Sequence, residues 1–459
     1  MIHRAPLSRK ASSSSLSSLY SARRSSAVSC SDLIRLQDSF KRKRSFSNNL
    51  LTLLLLCSCP LLFLYHYIVQ YFLGSIKEAL KVLLFTDYFI ETQITVVAVL
   101  FPLILVCFHI VLQSILPTEY HTILNYDGTY QKQRLNSFTC SCFFTLFYIL
   151  GSGLRLYEGD IVFVNWIPIS FFNSLIILFI LLITIGRNHI KHQENTSLLS
   201  DLFFGINLSP KFLDIDVKKF VTHQLATSLW LVYIISAVLY AKKNQKQLND
   251  TFICVSLLQI IYIFKFLWNE HLFYANLDAQ NDRMGFYRTW GVIVFIPTIY
   301  TTPVTIAANL TKSMNPFFYN FTIFAMGLFA ITMTYYIDTQ KYQFRYSRGR
   351  YKIMGKDPFF IVAKSRKDNG DIQTSLLLGS GFWGITRKIN YSFEWLTVIS
   401  WILLLGKATP LLGLFPVLFI TIFLIGRALR DEQRCLQKYG NYWVQYCHRV
   451  PFVFIPGVY

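Results

Sequence analysis

Ten apolar segments recur along this chain and constrain its fold more than any other feature. They lie near 50–73, 92–116, 137–153, 161–185, 225–241, 252–268, 287–308, 317–337, 395–406 and 410–426. A membrane-crossing helix needs about 20 predominantly apolar residues. Since 53% of the residues are hydrophobic and only 15% are charged, the composition does not suit a soluble domain of this size. The sequence predicts an all-α polytopic membrane protein with about ten transmembrane helices.

The basic residues predict the orientation of these helices. Lys41-Arg-Lys-Arg44 precedes the first segment, so the positive-inside rule places the N-terminus in the cytosol or nucleoplasm. An even number of spans returns the C-terminus to that side. The same face then receives 117–136, 186–224, 269–286, 338–394 and 427–459. Lys242 and Lys243 oppose this assignment, because they fall on the other face.

Residues 1–48 form a basic, serine-rich segment that is too polar to build a core. They contain fifteen serines and ten Lys or Arg residues, against the carboxylates of Asp32 and Asp38. The polar stretch is also longer than the basic region that opens a signal peptide, so no signal peptide is predicted. We expect a disordered cytosolic or nucleoplasmic arm, followed by a transmembrane domain over 49–459. Its charge suits an anionic membrane lipid surface, or a contact with DNA, chromatin or the lamina.

Two local patterns suggest sites that the sequence does not support. The nine cysteines are scattered without the usual C-x2-C pairing, so no metal site is predicted. Gly379–Gly384 (GSGFWG) matches G-x-G-x-x-G, but the next strong element is an apolar helix near Trp395 and not a strand-helix unit. These glycines still permit close backbone approach to a ligand, and Trp383 and Tyr391 can stack on a flat ring.

The C-terminal tail is crowded with charges beside membrane-type helices. Arg427, Arg430, Asp431, Glu432 and Arg449 lie in a short aromatic-rich stretch. Such charges are costly near a bilayer unless they pair tightly or bind a ligand. Together with the basic segment 338–394, the tail predicts a basic cytosolic pocket for a polyanionic cofactor.

At this point the residues resemble the sterol reductase family, which includes sterol C14 reductases, 7-dehydrocholesterol reductase and the C-terminal domain of lamin B receptor. The resemblance covers roughly 200–459. It rests on Gly205–Phe212 (GINLSPKF), Trp268-Asn-Glu270, Gln340-Lys341 with Phe344-Arg345, Ser380–Gly384, Arg387 with Asn390-Tyr391, Arg427-x-x-Arg430-Asp431-Glu432, Cys435, Lys438-Tyr439-Gly440, Tyr446-Cys447 and Arg449-Val450-Pro451.

The resemblance implies a cytosol-facing NADPH cavity in the C-terminal half, over about 338–459, next to a sterol pocket open to lipid. The cofactor-binding residues it implies are Lys341, Arg345, Trp383, Asn390, Tyr391, Arg427, Asp431, Cys435, Tyr439 and Tyr446. Their chemistry agrees, since Lys and Arg suit phosphates. Asp431 can accept a hydrogen bond from a ribose or amide group.

The chain departs from the family pattern mainly on the sterol side. The usual R-H-P-N-Y reads Arg387-Lys388-Ile389-Asn390-Tyr391, and Gly426 replaces a histidine. Gln224 stands where an R-P-G sequence begins, and Val292 replaces an acidic residue. These changes predict low or lost turnover with surviving nucleotide binding.

Reduction of a ring alkene needs an acid that protonates one carbon and a hydride that quenches the resulting carbocation. A buried carboxylic acid, or a tyrosine polarised by one, is a suitable donor. The candidates are Glu270, Asp278, Asp282 and Tyr300.

Two interpretations follow from the resemblance. One is an NADPH-dependent sterol reductase, most like the Δ14 type, in the membrane of the endoplasmic reticulum or the inner nuclear membrane. The alternative is a lamin-B-receptor-like envelope protein, in which a degenerate reductase domain serves as an anchor and does little or no chemistry.

Overall fold

The computed structural model describes residues 59–85, 96–124, 130–191, 198–208, 210–212, 215–245, 247–313, 315–366 and 372–457. The predicted arm over 1–48 lies outside these residues. Helices dominate the described part of the chain, which confirms the all-α class.

Seven helices in the described residues are long and apolar enough to cross a membrane. They are Val96–Ile115, Trp166–Thr184, Val217–Asn244, Asp250–Trp268, Phe286–Ala308, Phe317–Tyr346 and Leu412–Tyr439. The other three predicted segments correspond to shorter helices at 59–72, Ser137–Gly153 and Ile389–Leu403. The chain is therefore a multi-pass membrane protein.

Two of the spans contain π-helical turns. In the first, Val217–Lys219 is followed by the π-helix Phe220–Leu225 and then by Ala226–Asn244. The second consists of Phe286–Trp290, the π-helix Gly291–Phe295, Ile296–Tyr300 and Thr302–Ala308. Pro297 and Pro303 lack the backbone N–H that a regular helix uses. Single π-helical turns are frequent at functional sites.

The spans Trp166–Thr184 and Leu412–Tyr439 belong to the helices Trp166–Lys191 and Phe415–Tyr439. Short elements connect the spans: the helices Ile76–Phe85, Ile161–Val164, Leu198–Phe204, Leu277–Asn281 and Asn441–Arg449, with 3-10 turns at Glu270–Ala275, Gly381–Gly384, Gly406–Ala408 and Leu412–Leu414. Three antiparallel hairpins pair Glu119–Leu124 with Tyr130–Leu135, Lys211–Phe212 with Ile215–Asp216, and Phe360–Arg366 with Ile372–Leu378.

The described residues form two compact units. We call the first the transmembrane unit, which contains the described residues of Ser45–Tyr335 and Phe393–Leu424. The C-terminal unit contains those of Tyr336–Ser392 and Ile425–Tyr459. Each unit has its own apolar core.

The core of the transmembrane unit is largely aromatic. Trp166 is 1% exposed and Tyr233 is fully buried, and their ring centroids lie 4.5 Å apart. In the C-terminal unit the helix Asn441–Arg449 buries Trp443, Tyr446 and Val450 against Ala363 and Leu377 of the hairpin. This hairpin therefore supports the tail helix.

Candidate functional site

The glycine-rich turn of the C-terminal unit positions Trp383. Gly381 has a φ of +62°, and a Cβ there would lie 2.6 Å from Gln340 Oε1. That oxygen instead accepts a hydrogen bond from the Phe382 backbone N–H at 3.1 Å. The turn follows an antiparallel strand and forms a 3-10 helix, so its role differs from that of a Rossmann loop. It fixes an aromatic ring in place.

Trp383 lies under a lysine from the neighbouring helix. Its indole Nε1 donates to the backbone oxygen of Ile337 at 3.0 Å, and the ring is almost completely buried. Lys341 Nζ is 3.8 Å from the ring centroid, which is a close cation–π contact. Two of the predicted cofactor residues are thus in direct contact.

Three cations from three separate segments converge on Asp431. Lys388 Nζ forms an ion pair with the Asp431 carboxylate, and Lys388 is 6% exposed. Asp431 also interacts electrostatically with Lys341 and Arg427. Arg345 interacts in the same way with Lys341. We call Lys341, Lys388, Arg427 and Asp431 the cation cluster.

Lys388 is held in its charged form. Burial alone lowers the pKa of a lysine, but the adjacent carboxylate of Asp431 outweighs burial and raises the pKa of Lys388 above its ordinary value. The cluster therefore sets a charged Lys388, together with Lys341 and Arg427, against one carboxylate, a set of donors that suits an anionic ligand.

A neighbouring arginine ties the C-terminal peptide to the same region. Arg387 Nε pairs with Glu432 Oε1 at 3.0 Å, and its Nη1 donates to the backbone oxygens of Val450 at 2.7 Å and Pro451 at 2.9 Å. The backbone N–H of Arg387 also donates to the Phe452 oxygen at 2.9 Å. Burial opposes its charge, but Glu432 keeps the pKa of Arg387 above its ordinary value.

Asn390 presents an unused acceptor. Its Nδ2 donates to Asp338 Oδ1 at 3.1 Å. Its Oδ1 is buried without a hydrogen-bond partner among the described residues, and a buried acceptor of this kind usually has one. Beside it, the Arg427 guanidinium carbon lies 5.4 Å from the centroid of the Tyr391 ring.

The last three predicted cofactor residues lie against the core of the C-terminal unit. Cys435 and Tyr439 pack on the cluster that contains Trp443. The Tyr446 hydroxyl donates to the Leu378 backbone oxygen at 2.9 Å, and it lies 3.4 Å from that of Trp383. Burial raises the pKa of Tyr446. These contacts give Tyr446 a structural task within the fold.

The C-terminal residues fit a phosphorylated dinucleotide on three counts. The excess of cations suits phosphates. The partly buried ring of Tyr391 is a flat surface for a base or nicotinamide, whereas the Trp383 ring is almost completely buried under Lys341. The orphaned oxygen of Asn390 can accept from an amide or hydroxyl group.

Among the four candidate proton donors, Glu270 has a fully occupied carboxylate. It pairs with Lys219 at 2.6 Å, and both side chains are at most 5% exposed. It also accepts from the backbone N–H of Ser137 at 2.9 Å and from the Ser137 hydroxyl at 2.7 Å. Both carboxylate oxygens of Glu270 are therefore already engaged within the fold.

Asp278 and Asp282 share one arginine. Arg288 Nη1 lies 3.7 Å from Asp282 Oδ2 and donates to the Asp278 backbone oxygen at 3.1 Å. Both aspartates interact electrostatically with the buried Lys218, whose Nζ donates to the Ala279 oxygen at 2.8 Å. The two carboxylates therefore belong to one charged network.

Tyr300 has different surroundings, inside a span. Its ring lies 5.5 Å from Trp230 and 5.7 Å from Trp401. The Trp401 indole nitrogen is buried without a hydrogen-bond partner among the described residues.

Two positions at which the sequence departs from the family pattern, Gln224 and Val292, lie in the two π-helical turns, which contact each other.

Sequence reasoning missed some members of this arrangement. In the sequence, Lys388 is recognisable only as a departure from a family pattern, whereas in the structure it pairs with Asp431. Asp338, which holds Asn390, and Glu394, which accepts a hydrogen bond from Tyr262, carried no sequence signal. The described residues contain no group of three or more potential metal ligands.

Comparison with known proteins gives consistent matches. The model of the ergosterol biosynthesis ERG4/ERG24 family matches residues 75–459. The 7-dehydrocholesterol reductase of Arabidopsis thaliana is 31% identical over 279 residues, covering 60% of this chain and 64% of that protein. The probable 7-dehydrocholesterol reductase of Acanthamoeba polyphaga mimivirus is 25% identical over 437 residues, covering 90% and 95%.

A third relative is named for the reduction of a different sterol double bond. The Delta(14)-sterol reductase ERG24 of Candida albicans is 32% identical over 263 residues, covering 56% of this chain and 55% of that protein. Because the family model extends over most of the chain and includes both described units, the chain belongs to the ergosterol biosynthesis ERG4/ERG24 family.

Proposed function

We propose that this chain is an NADPH-dependent reductase of a sterol ring double bond, most like the Δ14 type. The observation that carries the proposal is the convergence of Lys341, Lys388 and Arg427 on Asp431, next to the ring of Trp383. Relatives named Delta(14)-sterol reductase and 7-dehydrocholesterol reductase support it. No relative named above favours the lamin-B-receptor-like alternative.

A reductase of this family implies a nicotinamide cofactor, which supplies the hydride when bound. We assign its phosphates to Lys341, Arg345 and Arg427. Lys341 and Arg345 lie on the helix Phe317–Tyr346 and interact electrostatically, and Arg427 lies on the helix Phe415–Tyr439, where it shares Asp431 with Lys341. Asp431, fixed by Lys388, serves as an acceptor. The extra phosphate of NADPH gains charge-assisted hydrogen bonds that NADH lacks.

The proton is assigned to the transmembrane unit. Asp278, with Asp282 in the same network, is the preferred donor to the ring carbon, because both carboxylate oxygens of Glu270 are engaged by Lys219 and Ser137. Tyr300 is the second candidate, as its ring lies within the aromatic group of Trp230 and Trp401. A proton at one carbon and a hydride at the other complete the reduction.

The setting of the protein is proposed as the endoplasmic reticulum membrane or the inner nuclear membrane, with the cofactor residues over about 338–459 facing the cytosol or nucleoplasm. Residues 1–48 are proposed to contact DNA, chromatin or anionic lipid through their positive charge. Such a contact must weaken steeply with salt. A salt-insensitive contact would contradict it.

One experiment separates the parts of the proposal. Purified full-length protein in lipid nanodiscs is given NADPH with either a Δ14-sterol or 7-dehydrocholesterol, and the sterols are identified by mass spectrometry. Reduced product supports the reductase and names the double bond. NADPH binding without product would favour the anchor alternative, and absence of NADPH binding would overturn the cofactor site. Rescue of yeast that lacks sterol C14 reductase is the matching cellular test.

A further inference from the structure

A tight turn in the C-terminal unit presents a methionine to solvent. Between the helix Phe317–Tyr346 and the strand Phe360–Arg366, the backbones of Ile353 and Lys356 exchange two hydrogen bonds of 2.9 and 3.1 Å. The two residues between them have positive φ, +50° at Met354 and +77° at Gly355. This combination defines a two-residue type I′ turn.

Met354 is an unusual residue for its position. The first central residue of a type I′ turn is normally Asn, Asp or Gly, since other side chains are strained at positive φ. Met354 is nevertheless apolar, and it is 81% exposed. Packing within the unit therefore does not explain it. A strained backbone with an exposed apolar tip points to a function outside the fold.

Basic and aromatic side chains surround this tip. Arg348, Arg350, Lys352 and Lys356 are all exposed, and no ion pair among the described residues includes any of them. Between 346 and 366 the single carboxylate is that of Asp357. Tyr346 is 73% exposed. We call residues 346–357 the Met354 turn.

We propose that the Met354 turn binds the anionic surface of the membrane in which the protein resides. Met354 enters the headgroup region, and the surrounding Lys and Arg side chains bind lipid phosphates or carboxylates. Exposed apolar and tyrosine side chains among basic residues are typical of membrane interfaces. Each basic side chain near an anionic leaflet favours the surface-bound state by roughly fivefold.

The covalent structure favours lipid over a nucleic acid partner. The helix Phe317–Tyr346 is one of the membrane-crossing helices, and Met354 follows its last residue by eight positions. Eight residues reach at most about 28 Å. The tip is therefore tethered near a bilayer, whereas a nucleic acid would gain nothing from the methionine.

The test uses full-length protein with a fluorescent amino acid in place of Met354, in nanodiscs with headgroup-spin-labelled lipid as quencher. Nanodiscs of phosphatidylcholine are compared with nanodiscs that contain roughly 30% phosphatidylserine. We expect at least about twofold stronger quenching in the anionic nanodiscs, with loss of the difference near about 0.5 M KCl. The double variant Lys352→Gln/Lys356→Gln should reduce the difference, because only Arg348 and Arg350 then remain to bind the anionic lipid.

Asp357→Asn is the matched control, because it changes the charge of the same turn in the opposite direction. It should increase quenching in anionic nanodiscs. All these side chains are exposed, so the thermal midpoint of each variant should equal that of the parent. Absent quenching, equal quenching in both lipids, or a loss of quenching in Asp357→Asn would each overturn the proposal.

Discussion

Lys388 and Asp431 form an ion pair across 43 positions of sequence, and it joins the residue before the helix Ile389–Leu403 to the long helix Phe415–Tyr439. In the family that the sequence resembles, the position of Lys388 is usually a histidine. A histidine titrates near neutral pH, whereas this lysine remains charged. Asp431 therefore has a partner whose charge stays constant across this pH range.

Loss of this partner should affect both stability and nucleotide binding. Lys388→Gln leaves the Asp431 carboxylate partly buried, so we expect a loss of about 2 kcal/mol in the free energy of unfolding and weaker NADPH binding. Lys388→Arg should retain most of both. In a double-mutant cycle with Asp431→Asn, measured by thermal unfolding, the two losses should not add. Additive losses would show that the pair is not coupled.

Arg427→Gln should weaken NADPH binding without unfolding the protein. Removal of one charge-assisted hydrogen bond to a phosphate corresponds to about 1.5–3 kcal/mol, or roughly 10- to 100-fold in Kd. The control is Arg434→Gln on the same helix, which should bind normally. Equal affinities of the parent for NADPH and NADH would contradict the phosphate assignment.

Substitutions of the candidate proton donors should differ in whether they impair turnover or stability. Asp278→Asn should abolish sterol turnover while it changes the NADPH dissociation constant little, because a proton donor acts on the transition state. Glu270→Gln should instead destabilise the fold by about 3–5 kcal/mol, since it leaves the buried Lys219 without its partner. Normal turnover of Asp278→Asn would leave Asp282 or Tyr300 as the donor.

Stability should fall in mild acid because of His271. Burial, followed by the charge of the nearby His121, lowers the pKa of His271 below its ordinary value of 6.5, and the two rings stack at 6.0 Å. Between the lowered pKa and 6.5 the unfolded chain binds more protons, so the free energy of unfolding rises with pH. Thermal midpoints from about pH 7 down to about pH 5 should drop less in His271→Gln. An unchanged slope would contradict this origin.

Met354→Asn should stabilise the protein in detergent. Asparagine tolerates positive φ better than methionine, and the replaced side chain is exposed. We expect a gain of about 0.5–1 kcal/mol in the free energy of unfolding. Lys352→Asn is the control, because its backbone is not left-handed. A lower midpoint in Met354→Asn would show that methionine packs within the fold.

Hydropathy located the spans but not their ends. The segment predicted at 225–241 belongs to a span that begins at Val217. Hydropathy missed this beginning because Lys218 and Lys219 are typical of loops, although in the structure they are only 2% and 3% exposed. Their charges are accommodated by the Ala279 oxygen and by Glu270. Similarly, the helix predicted to end at 337 continues to Tyr346. A helix that has charged residues at its end is therefore longer than the apolar segment by which hydropathy detects it.

The chemistry of the C-terminal site could be anticipated from residue types, but the partners could not. Basic residues beside Asp431 indicated an anionic ligand, and the structure brings Lys341 and Arg427 towards it. The pairing of Asp431 with Lys388 depends on the path of the chain between them, and no local pattern encodes it. The roles of these residues in binding stay predictions.

The contacts of Arg387 make residues 450–452 part of the site region. Its side chain holds the oxygens of Val450 and Pro451, and the Ser392 hydroxyl donates to that of Phe454 at 2.7 Å. A nonsense mutation that ends translation after Arg449 would remove these acceptors and leave the buried Arg387 with Glu432 alone. A stop codon at position 450 should therefore act as a loss-of-function allele, although every described membrane-crossing helix would still be made.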